Sequence, residues 1–150
     1  MTSRAAVSEF LAQRSLAIVG ASRSGKKFGN VALRELLAKG YRVFPVHPSA
    51  TTIDGRPAHP SLQALPERVG GVVVVVPPAQ TETVVKDARR AGITRIWLQQ
   101  GADSPEAIRY CTEHGMQVVA GECILMFAEP AGWVHRAHRW VWRALGKLPQ

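Results

Sequence analysis

A chain of 150 residues with 46% hydrophobic and 20% charged residues has the size and composition of one globular domain, which excludes disordered, collagen-like and coiled-coil chains. No apolar run approaches the ~18 residues of a membrane span, and Met1-Thr2-Ser3-Arg4 lacks the apolar stretch of a secretory signal. The 19 Lys and Arg against 11 Asp and Glu leave a net charge of +8, which calls for an anionic partner: nucleic acid, acidic membrane or a phosphorylated small molecule.

An amphipathic stretch with Val7, Phe10 and Leu11 precedes a first strand over Leu16 to Val19. Val31, Ala32, Leu36 and Leu37 then keep helical spacing up to Gly40, and a second strand runs from Tyr41 to Val46. The segment from Pro48 to Pro66 carries Gly55, Pro57 and Pro60 and reads as a surface connection with one short helix around Ser61 to Ala64. Five consecutive valines from Val72 to Val76 suit a strand that is dry on both faces better than a helix. Pro78 opens a helix in which Val84, Val85, Ala88 and Ala91 recur before Gly92. A fourth strand follows at Arg95 to Leu98. Ser104-Pro105-Glu106 then supplies an N-cap, a first-turn proline and an acidic first-turn residue, and Gly115 closes that helix before a fifth strand at Met116 to Val119. Strands alternating with helices predict an α/β fold: a single doubly wound, Rossmann-like domain over residues 1–150 with a five-stranded parallel sheet. A basic amphipathic C-terminal helix is expected over residues 131–148. Val134, Ala137, Val141, Ala144 and Leu148 lie along one side of it, and Arg136, Arg139, Arg143 and Lys147 along another. Its apolar stripe suits packing on its own domain or on a second copy of the chain, as in a homo-oligomer.

The first strand runs into Gly20-Ala21-Ser22-Arg23-Ser24-Gly25-Lys26-Lys27-Phe28-Gly29 immediately before a helix. Glycines there let backbone approach a phosphate, the helix N-terminus presents free N–H groups, and Arg23, Lys26 and Lys27 add positive charge. Gly20 to Lys26 imitates the triphosphatase loop G-x-x-x-x-G-K, but position 27 is lysine where a Mg²⁺-binding hydroxyl is needed. The valine strand leads into Pro77 without a metal-binding aspartate, so triphosphate hydrolysis is disfavoured. Ser22 replaces the middle glycine of the dinucleotide pattern G-x-G-x-x-G, and His47-Pro48 stands where an NAD enzyme places an acid for the ribose hydroxyls. A ligand with an extra ribose phosphate, such as NADP or coenzyme A, suits this strand end better.

Taken in order, Val19-Gly20-Ala21-Ser22, Gly40-Tyr41-Arg42-Val43 leading to Pro45-Val46-His47-Pro48, Val76-Pro77-Pro78, Trp97-Leu98-Gln99-Gln100-Gly101 and Gly121-Glu122-Cys123 carry a resemblance over nearly the whole chain. The sequence resembles the stand-alone CoA-binding domain proteins of bacteria and is similar to the N-terminal domain of the succinyl-CoA synthetase alpha subunit. That resemblance implies coenzyme A or an acyl-CoA held across the carboxyl ends of the strands, with residues around Ser22 to Lys26 meeting the phosphates. It further implies that Pro48 and Val76, Pro77 and Pro78 border the adenosine and pantetheine path, and that Gln99, Gln100 and Gly101 line the cleft. The sequence departs from the synthetase at Pro48-Ser49-Ala50, which offers no lysine after the proline, and at His47, where an asparagine is usual. The phosphorylated histidine of the synthetase belongs to a second domain that has no counterpart here, so no ligase activity and no catalytic residue are expected.

Two other readings use the same residues differently: an NADP-linked oxidoreductase in the same cleft, and an RNA-binding protein acting through the basic C-terminal helix. Glu122 beside Cys123 is a possible acid or base without an identifiable partner, and Cys123 a possible partner for the CoA thiol. Cys111 reads as core. His135 and His138 lack a third ligand, so no metal site is expected. Two cysteines suit free thiols in a cytoplasmic protein rather than a disulfide scaffold.

Overall fold

The computed structural model describes residues 3–128. In chain order the elements are α1 (Arg4–Leu11), β1 (Ser15–Val19), α2 (Phe28–Ala38), β2 (Arg42–Val46), β3 (Thr52–Ile53), β4 (Arg56–Pro57), β5 (Gly71–Val74), α3 (Pro78–Arg90), β6 (Arg95–Gln99), α4 (Pro105–Glu113) and β7 (Gln117–Glu122). Single 3-10 turns occupy Leu62–Ala64 and Ile124–Met126. Five strands form one parallel sheet in the order β2-β1-β5-β6-β7, and β3 pairs with β4 in a separate antiparallel hairpin. The five-stranded parallel sheet and its helices are those the sequence predicts. The C-terminal helix expected over 131–148, with the oligomer contact and RNA contact assigned to it, lies outside the described residues.

Travel from β1 outward to β2 and then back across to β5 reverses the strand order between β1 and β5. Right-handed crossovers in opposite directions place their helices on opposite faces. Alternation along the strands divides the core accordingly. Leu16, Ile18, Val73, Trp97 and Val119 pack beneath α1, α2 and the Ile124–Met126 turn. Ala17, Val72, Val74, Ile96 and Leu98 pack beneath α3 and α4. The central strands are dry on both sides, since Val72, Val73 and Val74 are each 0% exposed, and this is why they read as an unbroken valine run rather than as alternation.

Helices start and stop where local chemistry requires. Ser3 and Ser104 cap α1 and α4 by accepting the Ala6 and Ala107 N–H groups. At the end of α2, Gly40 takes φ +93, and the Tyr41 N–H donates back to the Leu36 carbonyl at 3.1 Å, closing a Schellman turn that only a residue at ease in the left-handed region forms cheaply. The fifth strand runs three residues beyond its expected end. A bulge between Leu98 and Gln99 pairs Gln99 with Glu122, so Gly121, at φ +76, lies within β7 rather than terminating it.

Among the described residues Trp97 is the largest fully buried side chain, set between Phe10 at 5.4 Å and Phe127 at 5.9 Å between ring centroids, with its indole N–H donating to the Glu122 carbonyl at 3.1 Å. It joins α1, the sheet and the segment after β7. Trp97→Ala is expected to cost ~3–5 kcal/mol in urea unfolding, the range for deleting a buried aromatic, and Trp97→Phe less.

Candidate functional site

In open α/β sheets ligands enter at the carboxyl ends of the strands where the order reverses, here beyond Val19 and Val74. The chain leaves β1 at Gly20 with φ +126, and a Cβ at this position would run into the Val75 carbonyl group. Nine residues on, a Cβ on Gly29 would lie 2.6 Å from the Gly20 carbonyl oxygen and 2.7 Å from the Ala21 nitrogen. The missing side chain of Gly29 therefore brings the first turn of α2 directly onto the end of β1, and that of Gly20 lets the end of β1 lie against Val75 beyond β5.

Between these glycines the loop supplies its own hydrogen bonds. The Ser22 and Ser24 hydroxyl oxygens lie 2.6 Å apart; the Ser24 N–H donates to Ser22 Oγ at 3.2 Å, the Lys26 N–H to Ser24 Oγ at 3.3 Å, and the Gly25 N–H to the Ser22 carbonyl at 3.3 Å. Lys27 occupies the N-cap position of α2 without making a side-chain capping bond, and no acidic residue sits in the first turn. Such a helix start keeps its positive dipole end and the Phe28 and Gly29 N–H groups available to an anion, while the Asn30 N–H donates to the Lys27 carbonyl at 3.0 Å. Arg23, Lys26, Lys27 and Phe28 are all exposed around it, Phe28 being the exposed large hydrophobic residue among those described.

Three features of this loop escape the sequence reading. Asn30 is 0% exposed: its Oδ1 accepts the Ser22 N–H at 2.8 Å, and its Nδ2 donates to the Ser22 carbonyl at 2.9 Å and to Asp54 Oδ2 at 3.2 Å. Arg34 donates through Nη1 to the Gly25 carbonyl and to Asp54 Oδ2, both at 3.2 Å. Asp54 itself comes from the segment expected to be a plain surface connection, which instead contains the β3–β4 hairpin as well as the short turn at Leu62–Ala64. One signal was available for Asn30: it falls on the α2 stripe that also carries Leu33 and Leu37, where a polar residue needs a buried partner.

The remaining predicted site residues reach the same end of the sheet from other strands. Beyond β2, half-buried His47 accepts the Ser49 and Ala50 N–H groups on Nδ1 at 3.1 and 2.9 Å, so its proton resides on Nε2 and the ring shapes the turn containing Pro48. Val76 follows β5, and Pro77 and Pro78 supply the N-cap and first residue of α3. Thr81, buried in that helix, donates to the Ala102 carbonyl at 2.5 Å and so ties α3 to the turn after β6. Gln99 is 3% exposed and its Oε1 accepts the Ile124 N–H at 3.0 Å, while Gln100 and Gly101 form an exposed turn in which the Gly101 N–H donates to Asp103 Oδ1. Gln99 is thus committed to joining β6 to the segment after β7. A groove of about 540 Å³ lined by Leu62, Val69, Ile93, Arg68 and Arg90 lies at the opposite end of the sheet, where β5 and β6 begin.

Residues 14–129 match the CoA binding domain family. The chain belongs to that family. Among curated proteins this family member is 26% identical over 121 residues to the ADP-forming acetate–CoA ligase I of Archaeoglobus fulgidus, covering 74% of this chain and 18% of the ligase. It is 28% identical over 124 residues to an uncharacterized protein of Bacillus subtilis, covering 81% of this chain and 91% of that protein. The match therefore spans less than a fifth of the ligase's length, but nearly the whole of the small protein's. Among solved structures, a conserved hypothetical protein from Pyrococcus furiosus superposes with a TM-score of 0.70 at 40% identity, covering 74% of this chain and 96% of that one.

The residues present fit an anionic, phosphate-bearing ligand: close backbone approach at Gly20 and Gly29, an uncapped helix start and three exposed cations. Among the described residues no cluster of His, Cys, Asp and Glu could hold a metal ion, and no helix is long and apolar enough to cross a membrane. Both cysteines are buried, and burial pushes the Cys111 thiol up to about 11, which leaves it protonated.

Glu122, 8% exposed, has an Oε2 without a hydrogen-bond partner, and desolvation holds its carboxyl above the usual range. Because the folded state binds this proton more tightly than the unfolded chain, its stabilising effect is complete below the unfolded value of 4.5 and is lost as pH rises through the higher folded value. Thermal unfolding scans should therefore show the wild type losing stability relative to Glu122→Gln as pH rises above 4.5 toward neutrality.

Proposed function

We propose that the chain binds coenzyme A or an acyl-CoA through the loop from Gly20 to Phe28 and carries out no chemistry of its own. Membership of the CoA binding domain family supplies the ligand class. The observation that carries the phosphate assignment is the junction of β1 and α2, where Gly29, without room for a Cβ, presses an uncapped helix start against the Gly20 and Ala21 backbone at the sheet end. On this reading the diphosphate meets the first-turn N–H groups of α2, with Arg23, Lys26 and Lys27 neutralising its charge. Adenosine and pantetheine run along the other strand ends, past His47 and Pro48, Val76 to Pro78, and Gln100 and Gly101.

The reading stops at binding because the matched segment covers only 18% and 28% of two relatives with a named ligase activity, which leaves most of each outside the match. Two of the polar side chains buried near the strand ends also have structural duties, Gln99 toward Ile124 and Thr81 toward Ala102. A module of this kind senses, carries or shields its ligand.

Calorimetric titration with CoA, dephospho-CoA, NADP and ATP tests the assignment. CoA is expected to bind most tightly, and the double variant Lys26→Ala, Lys27→Ala to weaken it by more than about tenfold, the scale of a single lost charge-assisted hydrogen bond. Tight ATP binding with silent CoA, or CoA affinity unchanged in the double variant, would overturn it.

A further inference from the structure

The loop assigned to the diphosphate does not hold its shape alone, and the groups that hold it converge on one carboxylate 24 residues away from Asn30 along the chain. Asp54 Oδ2 accepts from both Asn30 Nδ2 and Arg34 Nη1 at 3.2 Å. Each of those side chains simultaneously grips a loop carbonyl: Asn30 that of Ser22, Arg34 that of Gly25. The first and last carbonyls of Ser22–Gly25 are thereby referred to a single oxygen on a different element.

The element is built to keep that oxygen in place. Asp54 and Gly55 have φ +51 and +74, two consecutive left-handed residues as a two-residue type I′ hairpin turn requires, with Asp-Gly a preferred pair. Below the turn Ile53, 1% exposed, anchors the hairpin in the core under α2. The Ala58 N–H donates to the Thr51 carbonyl, and His59 bridges to β2 through Pro45 and His47. The Asp54 side chain is only 20% exposed, and a Cβ placed on Gly25 would come within 3.1 Å of its Oδ1, so the glycine also makes room for the carboxylate. The pairing has an electrostatic consequence as well. Arg34 neutralises Asp54, leaving the charge of Arg23, Lys26 and Lys27 undiminished toward an incoming anion.

We infer that Asp54 is a positioning residue for the phosphate loop, acting through Asn30 and Arg34 to hold the Ser22–Gly25 backbone in its ligand-receiving form. The inference rests on the CoA reading for its ligand, but its structural half is separable from it.

The experiment compares Asp54→Ala and Asp54→Asn with wild type by amide hydrogen exchange without ligand and by CoA titration. An asparagine at 54 keeps an acceptor oxygen and should preserve most of the network, whereas alanine removes it. The expected result is Ser22 and Gly25 amides exchanging about tenfold faster in Asp54→Ala and CoA affinity falling by a similar factor, each about the loss of one hydrogen bond to a charged group, with Asp54→Asn recovering most of both. Exchange in β6 should not change, which separates loop positioning from general loss of stability. Unchanged Ser22 exchange in Asp54→Ala would overturn the inference whatever the ligand. Faster exchange with undiminished CoA affinity would overturn it as well. If wild type itself fails to bind CoA, the ligand reading falls, and the exchange arm still decides whether Asp54 positions the loop.

Discussion

The contact on which the rest of this molecule depends is backbone against backbone: Gly20, at the end of β1, lies where a Cβ would strike the Val75 carbonyl, while the Val75 N–H donates to the Val19 carbonyl at 2.7 Å. It occurs where the sheet order reverses, so chain leaving β1 turns one way and chain leaving β5 the other, opening a crevice between them. Gly29 repeats the close approach from the helix side. A side chain at Gly29 would lift the start of α2 away from the strand end, and with it the N–H groups and cations that make the crevice attractive to phosphate, while one at Gly20 would push the end of β1 off Val75.

The distribution of charge follows the same plan. The exposed cations of the loop have no acidic partner among the described ion pairs, a state they share with Arg4, Arg14, Arg56, Arg68, Arg89 and Arg109, whereas Arg34, Lys39, Arg42, Lys86, Arg90 and Arg95 are each matched with a carboxylate. Surface pairs of that kind contribute little to stability, typically under ~1 kcal/mol, but each cancels positive field in its own neighbourhood. A net charge of +8 thus says less about function than the position of its unpaired members.

The architecture was legible because it rests on local signals of strong contrast. A valine run at Val72 to Val76 and glycines at 40, 92 and 115 mark strands and helix ends without help from tertiary structure. The glycine-rich loop was legible for the same reason. Its supports were not. Thr52–Ile53 and Arg56–Pro57 are two-residue strands, too short to show alternation, so Asp54-Gly55 passes for ordinary loop punctuation. The stripe of α2 marks Asn30 as a buried polar residue in need of a partner, but its partners, Ser22 and Asp54, lie at chain separations of 8 and 24 residues that no local pattern encodes. Likewise β7 continues through Gly121 because of a bulge against β6, a pairing effect invisible in β7 alone.

The most direct test of the central claim is where CoA touches the backbone. In ¹⁵N-labelled protein titrated with CoA, the account predicts that the largest amide shifts fall at Gly20 to Gly29, with smaller ones after β2, β5 and β6, and almost none at Gly92 and Ile93 at the far end of the sheet. Shifts concentrated at that far end, with the Gly20 to Gly29 amides unmoved at saturation, would contradict it.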